Sequence, residues 1–162
     1  FLDVAILAVP APRPRSVGYS RGDRVTSRVY APTTYSDWKR YLRELVRSMQ
    51  PEGLMRRREG LEATGGSWFT LEVRAFFKTP GSWSILNKAL AERGDIRPDS
   101  GARDNDNIEK SILDSLAGGL RLKEPPEWAV WRDDSQVVDT SCSKYYSAQP
   151  RTQLIITELP PE

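Results

Sequence analysis

Apolar and polar residues alternate over Ser67–Phe77: Phe69, Leu71, Val73, Ala75 and Phe77 fall on one side, Thr70, Glu72 and Arg74 on the other. A period of two predicts a β-strand with one buried face. Thr33–Gln50 follows the other period. Trp38, Tyr41, Leu42, Leu45 and Met49 recur at steps of three and four, Thr34 or Ser36 can cap, and Pro51 stops the run. This predicts an amphipathic helix whose second face carries Lys39, Arg40, Arg43 and Arg47. Two shorter helices are expected over Ser82–Arg93, capped by Ser82 and ended by Gly94, and over Asn107–Ala117, capped by Asn107 and ended by Gly118-Gly119. In the latter, Ile108, Ile112 and Leu116 form the apolar stripe.

The remaining segments read as strands and connections. Phe1–Val9 reads as a buried strand ending at Pro10, and Arg24–Tyr30 as a second short strand. Between them, Pro10, Pro12 and Pro14 with Arg13 and Arg15 predict an extended loop through Arg21. Glu52–Gly66 is polar and bounded by glycine, and Leu120–Trp131 contains Pro125-Pro126, so both are expected to be surface connections. Gln136–Tyr146 and Arg151–Leu159 read as strands joined near Pro150. Helices interleave with strands, and the last two strands follow one another directly. The expected architecture is one α+β domain over residues 1–162, a mixed β-sheet packed by helices.

Composition narrows the chemistry. The chain has no histidine and a single cysteine, Cys142, which excludes Ser-His-Asp and Cys-His catalysis, the common zinc sites and a disulfide framework. One cysteine suits a reducing compartment, and no apolar run approaches the roughly 20 residues of a membrane helix. Phe1–Val9 is short, contains Asp3 and lacks a basic flank, so no signal peptide is expected there. A soluble, cytoplasmic protein is the expectation. The net charge of +2 hides a split: residues 1–60 hold twelve Lys/Arg against six Asp/Glu, and residues 94–139 hold six against eleven. A basic half attracts polyanions, and an acidic cluster beside it tolerates them when cations intervene. That combination suits a metal-dependent enzyme acting on phosphodiesters, although solvated helix faces produce most such charge runs.

The acids gather in two places, Asp104-Asn105-Asp106-Asn107 and Asp133-Asp134. Asp104 and Asp106 are two apart, and an extended segment would put both carboxylates on one side. Lys110 follows Asn107 by three, in the first turn of the expected helix. A cation there opposes the helix dipole by about 0.3–1 kcal/mol, so an anionic partner such as phosphate would account for it. Carboxylates without histidine select a hard, oxygen-ligated cation such as Mg²⁺. An EF-hand is excluded, because Ile108 stands where a ligand is needed, the turn glycine is missing, and Ser115 replaces the closing Glu. Taken singly, each acidic pair is also an ordinary cap or turn.

Jointly, Asp104-x-Asp106-Asn107-x-x-Lys110, Leu113-Asp114-x-Leu116, Trp131-x-Asp133-Asp134-x-Gln136-Val137-Val138 and Lys144 resemble the RusA family of Holliday junction resolvases, a family often found in phages and prophages. The N-terminal strand running into Pro12-Arg13-Pro14-Arg15, the Tyr/Trp-containing helix and Ser82-Trp83-Ser84 extend the resemblance over nearly the whole chain. Two departures stand out. Ser100-Gly101-Ala102-Arg103 separates Pro98-Asp99 from Asp104, where the family runs Pro-Asp-x-Asp-Asn, and Leu120–Trp131 lengthens the connection before Asp133.

The resemblance implies that Asp104, Asp106 and Asp134 bind metal with Asp133 in support, and that Lys110 is the catalytic lysine. It implies Mg²⁺ as cofactor, with Mn²⁺ as a substitute, and a homodimer that nicks opposing strands of a four-way DNA junction. Arg13, Arg15, Arg21 and Lys144 are the candidate DNA contacts, with the basic helix face as a weaker set. A broader nuclease for flaps and other branched DNA, a catalytically silent junction-binding relative, and a structural domain with acidic loops remain as alternatives.

Overall fold

The computed structural model describes residues 2–4, 15–21, 24–30, 33–49, 68–99, 104–118 and 129–159. Its elements are β1 (Leu2–Val4), β2 (Arg15–Arg21), β3 (Arg24–Tyr30), α1 (Thr33–Met49), β4 (Trp68–Lys78), α2 (Ile85–Glu92), α3 (Asn105–Leu116), a 3₁₀ turn (Asp134–Gln136), β5 (Val137–Ser147) and β6 (Arg151–Leu159).

β4 organises the fold. Its alternation becomes a central strand in a four-stranded sheet of order β1-β6-β4-β5, with Phe69, Leu71, Val73, Ala75 and Phe77 buried. β4 runs parallel to β5, in register from Thr70↔Asp139 to Lys78↔Ser147, and antiparallel to β6. β1 pairs antiparallel with β6 at the far edge. The sheet is mixed, as the α+β reading requires.

Helices α1 and α3 cover the apolar side of β4. Tyr35, Trp38, Leu42 and Val46 of α1 join Ile108, Ile112 and Leu116 of α3, with Trp131 and Leu154, in one buried cluster. Burying each large aliphatic side chain contributes about 1.5–3 kcal/mol before entropy is subtracted. Tyr41, expected on the apolar face of α1, is 54% exposed. The buried stripe instead runs from Tyr35 through Trp38 and Leu42 to Val46, one position round the helix. Arg43 Nε donates to Ser115 O at 2.8 Å and so ties α1 to α3.

Several boundaries differ from the sequence reading, each for a local reason. Arg15–Arg21 is not loop but a strand, paired with β3 from Arg15↔Tyr30 to Arg21↔Arg24. Val17, Tyr19, Val25, Thr26 and Val29 are strand formers, and only Gly22-Asp23 separates the two runs in sequence. α1 begins at Thr33, so Thr34 and Ser36 lie inside its first turn. α2 is capped by Ser84, not Ser82: its Oγ accepts from Asn87 N at 3.1 Å. Gly94, at φ 84, closes it. α3 begins two residues early, with Asp104 rather than Asn107 at the N-cap, and ends at Leu116. Ala117 then leaves the helix and bridges Trp131, so the end of the expected Leu120–Trp131 loop is core. The Glu52–Gly66 connection and residues 119–128 lie outside the described residues.

Candidate active site

α3 and β5 hold the first acids between them. Asn105 Nδ2 donates to Cys142 O at 2.9 Å, and Glu109 Oε2 accepts from Thr140 Oγ1 at 2.8 Å. These two contacts fix the helix on the edge strand. Asp104 is exposed at the N-cap in extended conformation, and its side chain makes no capping bond. Asp106 is exposed in the first helical turn, where the helix dipole favours a carboxylate. The two acids therefore straddle the helix start and do not share an extended segment.

The early start also moves Lys110 into the second turn, where the dipole penalty has faded. Lys110 is exposed and follows Asp106 by four, so the two stand on one helix face in the favourable acid-before-base order. On α1, Lys39 Nζ lies 4.9 Å from the centre of the Tyr35 ring. Burial chiefly lowers its pKa, with the Arg43 and Lys110 charges adding to the effect and Asp114 opposing it.

The second pair of acids divides by role. Asp133 caps the 3₁₀ turn: its Oδ1 accepts from Ser135 N at 3.1 Å, and Gln136 Oε1 accepts from Asp133 N at 3.2 Å in return. These hydrogen bonds from Ser135 hold the Asp133 carboxyl below its usual range. Asp134, the first residue of the turn, is exposed. The capping-box spacing Asp133-x-x-Gln136 was the sequence signal for this structural role. The segment is fastened to the C-terminal half of α3, since Trp131 Nε1 donates to Leu113 O at 3.3 Å and Val130 N to Leu116 O at 3.0 Å.

The structure thus places Asp104 and Asp106 at the start of α3, with Lys110 one turn after Asp106, and fastens the segment leading to Asp133-Asp134 to the C-terminal half of the helix. Among the described residues, no group of three or more acidic or thiol side chains that could hold one metal ion is assembled. The donors suit Mg²⁺ by type, being carboxylates with Asp104 and Asp106 exposed, and Mg²⁺ is ordinarily bound by one or two carboxylates together with substrate phosphates.

Of the candidate DNA contacts, Lys144 is half-buried on β5, in register with Ala75 and therefore on the helix-covered side of the sheet. Arg13 lies outside the described residues, and Arg15 and Arg21 are described only by their backbone in β2. Within the basic face of α1, Arg43 is tied to α3, Arg40 pairs with Asp37 at 2.8 Å, and Arg47 lies 3.9 Å from Glu44. Sequence reasoning missed Arg97, whose Nη1 donates to Lys144 O at 3.2 Å.

Cys142 lies between these groups. Burial, reinforced by the Glu109 carboxylate, pushes its thiol up to about 11, so it stays protonated at pH 8. Iodoacetamide should therefore alkylate it on the order of 10²-fold more slowly than free cysteine, with the rate restored in urea. Alkylation of the native protein at the free-thiol rate would contradict this packing.

A sequence model of the family described as Endodeoxyribonuclease RusA matches residues 8–157. A Bacillus subtilis (strain 168) protein, Uncharacterized protein YqaN, is 30% identical over 152 residues, covering 93% of this chain and 91% of its own. Among the described residues no helix is long and apolar enough to cross a membrane.

Proposed function

The chain belongs to the RusA endodeoxyribonuclease family, and from that premise we propose that it resolves four-way DNA junctions by paired, symmetric, Mg²⁺-dependent nicks. The observation that carries this reading is the extent of the family match, residues 8–157, which includes Asp104, Asp106, Lys110, Asp133, Asp134 and Lys144.

The family motif assigns Asp104, Asp106 and Asp134 to Mg²⁺; of these, Asp104 and Asp106 stand together at the start of α3, and those two would hold the ion together with substrate phosphates. When bound, the ion supplies Lewis-acid polarisation of the phosphate and acidifies a water. The chain's own groups do the rest. Lys110, on the exposed face one turn after Asp106, provides a cation for charge developing on the phosphate oxygens. The first-turn N–H groups of α3 point their positive ends past the Asp104 cap, which favours an anion at the start of the helix. Asp133, engaged as a cap, keeps the turn that presents Asp134 in shape. Arg13, Arg15, Arg21 and Lys144 would hold flanking phosphates. A homodimer would place two such sites to match the near-two-fold junction. The compartment proposed is the bacterial cytoplasm, including that of phage-infected cells.

A panel of four-way junction, flap and plain duplex DNA tests the reading. Cleavage confined to the junction supports it. Equal cleavage of flaps favours the broader branched-DNA nuclease, and junction binding without cleavage favours a silent relative.

A further inference from the structure

The side of the sheet turned away from α1 and α3 carries its own pattern. There Thr70, Glu72, Arg74 and Phe76 of β4 alternate with the buried residues and are half-exposed. Tyr145 and Arg151 flank Phe76 in register, which makes one row across three strands. The Phe76 and Tyr145 rings stack with centroids 5.1 Å apart and planes 20° apart. The Arg151 guanidinium covers Phe76 at 3.9 Å, and Arg97 covers Tyr145 at 4.0 Å, reaching round the β5 edge from the segment after α2. The hydrogen bond from Arg97 to Lys144 O joins this row to the edge strand next to α3.

One step along the sheet, Arg74 stands in register with Ser143 and Gln153 and pairs with Glu72 at 2.6 Å, with both side chains about two-fifths exposed (41% and 40%). The face is therefore graded. Asp139 and Glu72 lie toward the start of β5, and Arg74, Arg97 and Arg151 toward its end.

We infer that the cationic end of this face, formed by Arg74, Arg97 and Arg151 around the Phe76–Tyr145 stack, binds the phosphate backbone of a DNA arm away from the cleavage point. The inference rests on DNA being the substrate and adds a contact surface on the opposite side of the sheet from Lys144. Stacking on the rings fixes the guanidinium planes in advance, so little side-chain freedom is lost when phosphates arrive. Charge selects the occupant. The three guanidinium groups gathered at one end of the face are complementary to the phosphates of DNA.

The test is binding of the full chain to a four-way junction and to duplex, in Ca²⁺ to prevent turnover, over a salt series. The Arg74→Gln/Arg151→Gln double variant should flatten the slope of log K against log salt by about two and weaken binding roughly tenfold or more. The Arg74→Lys/Arg151→Lys variant should keep most of the slope. Ser143→Glu, which adds a carboxylate in register with Arg74 and removes no guanidinium, should weaken binding in the same direction. Wild-type slope and affinity in the Gln and Glu variants would overturn the inference and leave the proposed function standing. So would a change of oligomeric state at unchanged DNA affinity. Failure of the wild-type protein to bind any DNA would overturn both.

Discussion

Asp106→Asn should reduce junction cleavage by at least about 10²–10³-fold while leaving junction affinity unchanged or slightly increased. The substitution removes one anionic oxygen donor and one negative charge at an exposed position in the first turn of α3. Its structural cost is small, about 0.3–1 kcal/mol from the lost helix-dipole interaction, so the variant stays folded. Losing a carboxylate from the proposed Mg²⁺ site removes catalysis, and losing a negative charge beside DNA removes repulsion. Asp133→Asn is the informative companion. Its carboxylate is engaged with Ser135, so its effect should appear mainly in stability and far less in cleavage. Single-turnover cleavage alongside anisotropy binding separates the two. An Asp106→Asn protein that cuts at the wild-type rate would contradict the assignment.

The largest effect on stability is expected at Trp131. This residue is 2% exposed, packs against Phe69 with ring centroids 6.1 Å apart, and bonds Leu113 O through its indole N–H. Trp131→Ala removes an aromatic side chain from the core and leaves a cavity between β4 and the end of α3, at a cost of about 3–5 kcal/mol. For a chain of this length that lowers Tm by roughly 10 °C or more. Trp131→Phe keeps most of the packing and loses mainly the hydrogen bond, about 1 kcal/mol. Trp131 also ties the Asp133-Asp134 segment to α3, so the Ala variant should lose cleavage at temperatures where it remains folded. Thermal unfolding followed by circular dichroism checks the first effect, and a fall of only 1–2 °C for Trp131→Ala would contradict the packing.

β4 was legible because its five apolar positions face a single core and nothing competes with their alternation. The start of α3 was not. Asp104, Asn105, Asp106 and Asn107 are four good caps in a row, and the sequence alone ranks none above the others. Tertiary contact decided it, since Asn105 reaches Cys142 O from inside the helix. The shift matters for chemistry: it places Asp106 and Lys110 on one helix face and removes the dipole penalty first attached to Lys110. Strand β2 was hidden by the three prolines before it, although Arg15–Arg21 contains none. The division of labour between Asp133 and Asp134 was encoded in Gln136. The Arg97–Tyr145–Phe76–Arg151 row was not encoded locally at all, because its members come from four separate segments that only the sheet register brings together. The family resemblance read from the joint motif is matched by the family model over residues 8–157.

The most direct measurement is incubation of the wild-type chain with an end-labelled four-way junction, with Mg²⁺ and with a chelator, mapping nick positions on all strands. Junction resolution predicts paired nicks at symmetric positions near the crossover, ends that a ligase can seal, and no nicks in the chelator. Absence of cleavage in Mg²⁺ by protein that binds the junction, or scattered unpaired nicks that appear equally on duplex, would contradict it.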